Sequence, residues 1–232
     1  MADPAGTNAV NLDGTLNVLL AARDAGVRRV IFAASAAAYG DNPVLPRNEA
    51  QVPSPLSPYA LTKLAGEYYC RIFTRIYGLE TVALRFFNIF GPGQNPESPY
   101  TGVLSNFITA FVRGTTPVIF GDGNQSRDFT YVANVVQAVL LACTAADAPG
   151  KVINIGVGAR YTLNETIAVL NAIFNRQVQP RYDTPRPGDI LHSRADISFA
   201  RKVLGYEPKV QFEQGLRETV RWYQSVLAEN GN

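Results

Sequence analysis

The feature that most restricts this chain is a set of short apolar runs separated by helical patterns. Val30-Ile31-Phe32-Ala33-Ala34, Thr81 to Phe87 and Val152-Ile153-Asn154-Ile155 lack the polar alternation of a strand with one wet face. Continuous runs of that length indicate strands buried on both sides, as in a parallel sheet. Around them, apolar residues recur at helical spacing. Val10, Leu12, Leu16, Leu19 and Leu20 predict a helix over 8–25 that stops at Gly26. Leu61, Leu64, Tyr68, Ile72 and Ile76 predict another from Pro58 to Gly78. Further helices are expected at about 103–112, 132–146, 163–174, 197–204 and 212–228, with a short strand at 117–120. Residues 1–7, 46–58 and 180–195 read as loops. Strands alternating with helices predict an α/β domain with a mainly parallel sheet. Ligands of such sheets bind beyond the C-terminal strand ends, where Ser35, Asn88 and Gly156 fall.

Composition removes several classes of function. With 232 residues, 47% hydrophobic and 17% charged, the chain can bury a sizeable core. A net charge of +2 gives no basic stripe for nucleic acid. One histidine, His192, excludes a multi-histidine metal centre, and Cys70 and Cys143 lie in predicted helices with no metal or disulfide spacing. No apolar run reaches membrane-spanning length and no signal-peptide pattern opens the sequence, so a soluble cytoplasmic protein is expected.

Ser57-Pro58-Tyr59-Ala60-Leu61-Thr62-Lys63 carries the chemistry. Ser57 suits a helix N-cap and Pro58 the first helical position. Tyr59 and Lys63, four residues apart, then share one face. An ammonium beside a phenol stabilises the phenolate, which lets the phenol exchange protons. The spacing alone also describes any tyrosine with a solvated lysine one turn on, so the surrounding motifs decide.

Those motifs follow in order: Ser35-Ala36-Ala37-Ala38-Tyr39-Gly40, Ser57-Pro58-Tyr59 with Lys63, and Leu84-Arg85-Phe86-Phe87-Asn88-Ile89-Phe90-Gly91-Pro92. Then come Gly121-Asp122-Gly123 with Arg127-Asp128-Phe129, Asn154-Ile155-Gly156, and Arg186-Pro187-Gly188-Asp189. Over essentially its whole length the chain resembles the extended short-chain dehydrogenase/reductase superfamily, specifically NAD-dependent nucleotide-sugar epimerases acting on UDP-glucose or UDP-N-acetylglucosamine. The resemblance implies a Rossmann-like, doubly wound sheet with a small C-terminal substrate lobe. Residues 1–100, interleaved with 115–160, would belong to the NAD-binding domain. Residues 101–232 would be mainly the UDP-sugar lobe, with 115–160 partly returning to the sheet.

It also implies site roles. Ser35, Tyr59 and Lys63 would be catalytic, with Tyr59 taking the sugar 4-hydroxyl proton and Lys63 holding the nicotinamide ribose. Ala33, Tyr59, Lys63 and Phe87 would contact NAD, Phe87 flanking the nicotinamide or else packing in the core. Asn88, Arg127 and Arg186 would hold the diphosphate and Asp189 a ribose. Phe120 would lie on the uracil or else pack in the core, and Ser35, Val103 and Ser193 would complete the substrate site. Ala36 and Ala37 replace the acidic pair of the superfamily's dehydratases, which favours epimerisation. Ser193 stands where strict glucose/galactose epimerases carry a bulky tyrosine, which favours N-acetylated hexosamines or else marks a plain surface loop. Helices 8–25 and 58–77 would pair across a two-fold into a homodimer.

The family pattern begins with a strand, a Gly-x-x-Gly-x-x-Gly turn and a helix that hold the NAD pyrophosphate. No such turn occurs here, and Gly121-x-Gly123 and Gly156-x-Gly158 read as ordinary turns. The resemblance joins the family pattern in mid-domain, with on the order of 80–100 residues preceding it in a full member. Val30, Phe32 and one backbone edge of their strand are then expected to face water. Three readings follow: an epimerase, a UDP-sugar-binding protein that holds NAD weakly, or another nucleotide-sugar enzyme such as a reductase or decarboxylase.

Overall fold

The computed structural model of the chain describes residues 3–95, 102–185 and 190–229. The first helix starts earlier than its apolar spacing predicts. Asp3 caps it by accepting from the Gly6 N–H at 2.8 Å, and Pro4 takes the first helical position. The expected loop over 1–7 is therefore helical from Pro4. Helix α1 (Pro4–Asn8) passes through a wider turn at Ala9–Asp13 into α2 (Gly14–Asp24). The helical path ends beside Gly26, whose φ of 66° any side chain would disfavour.

The chain continues through β1 (Arg29–Ser35), α3 (Pro58–Tyr77), β2 (Glu80–Phe86), β3 (Ile89–Phe90), α4 (Val103–Arg113) and β4 (Val118–Phe120). Next come β5 (Ser126–Arg127), β6 (Thr130–Tyr131), α5 (Val132–Thr144), β7 (Val152–Ile155) and β8 (Tyr161–Thr162). The remaining elements are α6 (Leu163–Phe174), β9 (Arg181–Asp183), α7 (Ser198–Leu204) and α8 (Phe212–Glu229). The loop expected over 180–195 thus contains a strand, β9, paired with β4 from Val118↔Arg181 to Phe120↔Asp183. Strands β3, β5, β6, β8 and β9 are too short to show a period, which is why the sequence conceals them, whereas β4 falls within the strand expected at 117–120.

The three long apolar runs form one parallel sheet in the order β1-β2-β7. Helices cover both faces, so the architecture is a doubly wound, Rossmann-like α/β fold. On one face Leu19 and Ala22 of α2 meet Cys70 and Phe73 of α3, with Val30 and Phe32 beneath them. On the other, Val82, Leu84, Ile153 and Ile155 pack against Ala138 and Ala142 of α5 and Ala200 and Leu204 of α7. Complete burial of such aliphatic side chains contributes about 1.5–3 kcal/mol each, so this strip anchors the sheet.

Among the described residues β1 pairs with β2 alone, so one of its backbone edges is open. The expectation that Val30 and Phe32 face water needs correcting, however. Both are half-buried, because α2 and α3 lie across them. Contact with α3 is close enough that a methyl group on Gly66 would sit 2.4 Å from the tip of the Phe32 ring.

A second core forms beyond the sheet. Phe90, Phe107, Phe111, Ile119, Phe129, Leu163, Ile167, Phe212 and Leu216 gather α4, α6 and α8 around three two-stranded pairings, β3-β6, β4-β9 and β5-β8. Phe129 stacks on Phe212 with centroids 5.2 Å apart. This lobe stands beside the C-terminal ends of β1, β2 and β7, and a cleft opens between them.

Candidate active site

The cleft has a volume of about 460 Å³ and is lined by Ala33 to Ala37, Tyr59, Lys63, Phe86, Asn88, Ile89, Gln94, Gly102, Arg127, Ile190 and Ser193. Ser35 ends β1 opposite Phe86 in the register. Its hydroxyl caps the short helical turn Ala36–Tyr39, accepting from the Ala37 N–H at 3.2 Å. That bond occupies a lone pair and leaves the hydroxyl proton to point at a ligand.

Ser57 starts α3 by accepting from the Ala60 N–H at 3.1 Å, a cap that contributes about 1 kcal/mol. The cap places Tyr59 in the first turn, 46% exposed towards the cleft. Lys63, one turn on, puts its ammonium 5.8 Å from the Tyr59 ring centroid and 5.3 Å from that of Phe32. The ammonium donates to the Ala33 carbonyl at 2.9 Å. Burial lowers the Lys63 pKa below the ordinary lysine value.

Opposite this trio stands the lobe. Asn88 donates to the Asp128 carbonyl at 3.3 Å. Arg127 holds its guanidinium against the carbonyls of Ser126 and Leu191 at 3.1 and 3.2 Å. Ser193 is fixed by its own N–H, which donates to the Ser126 carbonyl at 3.0 Å. Asp128 organises this wall. Its fully buried carboxylate accepts from the N–H groups of Val157 at 2.9 Å and of Gly158 and Ala195 at 3.0 Å. Burial raises its pKa to about 6, against the lowering effect of those three donors.

The structure brings Ala33, Ser35, Tyr59, Lys63, Asn88, Arg127 and Ser193 to one cleft. It places three other expected residues elsewhere. Phe87 is completely buried among Tyr39, Ala195 and Ile197, so the core alternative applies and it does not flank the cleft. The pleat turns Phe86 to the cleft in its place. Val103 opens α4 just past the cleft-lining Gly102 and packs against the lobe core. Phe120, half-buried at the end of β4, is not among the lining residues. Arg186 and Asp189 lie outside the described residues. Ile89, Gln94, Gly102 and Ile190 line the cleft without having been singled out from sequence. Ile89 lies within the Leu84 to Pro92 motif, and Gly102 and Ile190 adjoin Val103 and Asp189, so adjacency was the available signal for these three, while Gln94 carried none.

Residues 1–156 match the NAD dependent epimerase/dehydratase family. The chain belongs to this family. A UDP-glucose 4-epimerase of Mycolicibacterium smegmatis is 35% identical over 224 residues, which cover 96% of this chain and 71% of the relative. Two solved structures superpose with a TM-score of 0.93, each over 97% of this chain and 72% of the other. One is a UDP-N-acetylglucosamine 4-epimerase from Methanobrevibacter ruminantium in complex with UDP-N-acetylmuramic acid, 40% identical. The other is a UDP-glucose 4-epimerase from Thermotoga maritima with UDP-glucose, 38% identical.

For an NAD-dependent epimerase/dehydratase the cofactor is NAD, and part of the cleft fits it. Lys63 spends one of its three donors on Ala33, which leaves two for vicinal ribose hydroxyls. Among the described residues no glycine-rich turn leads from a strand into a helix to cradle the pyrophosphate. Gly121-x-Gly123 joins β4 to β5, and Gly156-x-Gly158 joins β7 to β8. Among the described residues, too, no acid, histidine or cysteine cluster could hold a metal ion, and no helix is long and apolar enough to cross a membrane.

Proposed function

We propose that this chain inverts C4 of a UDP-hexose or UDP-N-acetylhexosamine through a 4-keto sugar. The observation that carries this reading is the meeting of Ser35, Tyr59 and Lys63 with Arg127 and Ser193 in one cleft. When bound, NAD supplies the hydride acceptor and donor. Tyr59 Oη takes the 4-hydroxyl proton, and the Ser35 hydroxyl donates a hydrogen bond to the same oxygen. The Lys63 ammonium, 5.8 Å from the Tyr59 ring centroid, stands on the same helix face as Tyr59 and holds the ribose of the cofactor. On the return, after the keto sugar has presented its other face, Tyr59 gives its proton back to the C4 oxygen.

Inversion requires the keto sugar to turn over while its nucleotide stays fixed. Arg127 and Asn88 serve as the fixed end by gripping the diphosphate, together with Arg186 outside the described residues. A guanidinium fork suits phosphate oxygens. Ala36 and Ala37 offer no acid or base for eliminating water, which supports epimerisation over dehydration. Val10, Val18, Leu61, Tyr68, Ile72 and Ile76 expose apolar side chains on the first helical segments and α3, which supports a homodimer through these helices.

The test is purification of the 232-residue chain, an assay of released NAD after denaturation, and C4 inversion of UDP-glucose and UDP-N-acetylglucosamine. C4 inversion is the expected result. UDP binding with neither NAD nor turnover overturns the reading in favour of a UDP-sugar-binding protein. Ser193 decides which sugar is admitted. Replacing Ser193 with Tyr is expected to lower kcat/KM for UDP-N-acetylglucosamine about tenfold or more and to spare UDP-glucose, since a side chain that overfills a pocket costs about 1–3 kcal/mol. Equal turnover of the acetylated sugar by both proteins rules the gating role out.

A further inference from the structure

Behind the cleft lies a buried ion pair that the proposed chemistry does not use. Arg85 of β2 donates to Glu67 of α3 through two parallel bonds, Nε to Oε1 at 2.7 Å and Nη2 to Oε2 at 2.6 Å. The two side chains are 5% and 3% exposed. Burial is the largest influence and opposes the Arg85 charge, but the hydrogen bonds to Glu67 and the interactions with Tyr39 and the Glu67 charge together outweigh it and raise the pKa above the ordinary arginine value. The place of the pair in the fold is informative. Tyr59, Lys63 and Glu67 follow at intervals of four along α3 and form one stripe. Arg85 stands opposite Ala34 in β1 and Asn154 in β7, one residue before the row that pairs Ser35 with Phe86.

The same guanidinium also reaches the turn behind Ser35. Its Cζ lies 4.6 Å from the ring centroid of Tyr39, which closes the turn that Ser35 caps. Tyr39 is itself pinned, since its hydroxyl donates to Asn154 Oδ1 at 2.8 Å and the Asn154 N–H donates to Glu49 Oε1 at 2.8 Å. One side chain therefore touches both the helix that carries Tyr59 and Lys63 and the turn that carries Ser35.

Stability alone is a poor reason for such a pair. Burying two charges costs desolvation, and apolar residues of similar volume often replace a buried ion pair without loss of stability. What the apolar pair lacks is direction. Two parallel bonds fix both the rotation and the translation of α3 over β2. The neighbouring contact of Gly66 with Phe32 has no side chain on the helix to interlock, so it provides no such register.

We propose that Arg85 is a positioning residue, whose fork to Glu67 and stacking on Tyr39 hold the Tyr59–Lys63 pair at its working distance from Ser35. The inference rests on the epimerase reading above. The test compares the wild-type chain with Glu67→Leu/Arg85→Met, which keeps volume and loses direction, and with Arg85→Lys, which keeps the charge and loses the fork. Expected for both is cooperative unfolding and UDP affinity within about twofold of wild type. kcat for C4 inversion should fall about 10- to 100-fold at nearly constant KM, the scale of a misplacement of about 1 Å. A folded double variant, or Arg85→Lys, with wild-type kcat overturns the proposal.

A readout independent of turnover keeps the two readings apart. The chain has four lysines, Lys63, Lys151, Lys202 and Lys209, so pulsed acylation followed by mass spectrometry can rank them. In either variant the Lys63 labelling rate should change about threefold or more relative to the other three, because its contact with Ala33 depends on how α3 is seated. Unchanged Lys63 labelling overturns the positioning role. A wild-type chain that shows this contrast with its variants yet gives no C4 inversion supports the positioning of α3 and overturns the proposed function.

Discussion

Tyr59→Phe is expected to lower kcat for C4 inversion about 10²–10⁴-fold while leaving UDP binding within about twofold of wild type, the usual weight of a positioned acid/base group. The substitution removes one oxygen at the mouth of the cleft. Tyr59 is nearly half exposed and is not part of the core, so little packing is lost. The Ser35 cap and the Lys63 contact with Ala33 do not involve the phenol, so the remainder of the site keeps its geometry. Steady-state kinetics with isothermal titration of UDP checks both parts. Turnover close to wild type would remove Tyr59 from the mechanism and transfer the proton chemistry to another group in the cleft.

The second large effect concerns stability. Asp128→Leu is expected to cost roughly 3 kcal/mol or more, because it leaves the N–H groups of Val157, Gly158 and Ala195 buried without an acceptor, each at about 1–3 kcal/mol. Urea unfolding measures it, and a loss below about 1 kcal/mol would show that those amides find other partners. Asp128 also carries a pH signature. Its folded pKa, about 6, stands above the ordinary 3.8, so the folded state binds the proton more tightly than the unfolded one. The stability this contributes is complete below about 3.8 and is lost as pH rises through about 6. A shift of that size corresponds to roughly 3 kcal/mol. Against Asp128→Asn, which does not titrate, the wild-type chain should therefore lose stability across that window. Parallel pH curves for the two proteins would contradict the assignment.

The sequence declared the sheet and the main helices because their signals are local. A run such as Val30 to Ala34 has no polar member, and Gly26, Gly78 and Gly114 mark helix ends by a backbone conformation that other residues resist. Tyr59 and Lys63 were legible for the same reason, since an interval of four needs no tertiary information. Where pairing spans the fold, the sequence was silent. Glu67 and Arg85 lie 18 residues apart on a helix and a strand, and neither stands out until the strand is laid under the helix. Phe86 and Phe87 differ only in the parity of a pleat, which an apolar run at a strand end does not fix. Asp128 was overshadowed by Arg127 beside it, although the carboxylate is the group that ties three separate segments together. The short strands β3, β5, β6, β8 and β9 arise from lobe packing and have no periodicity of their own.

Gly66 and Phe32 constrain how sequences of this kind can drift. The helix backbone at 66 and the ring at 32 occupy adjoining volume in a close-packed layer, so each position defines what the other can be. A larger residue at 66 becomes acceptable only after the ring at 32 has shrunk, and a smaller residue at 32 leaves a void until 66 fills it. The two sites behave as one inherited character, written in two places 34 residues apart. Substitutions there should be tolerated in concert and penalised singly, with the order of the two steps restricted by whichever intermediate still folds.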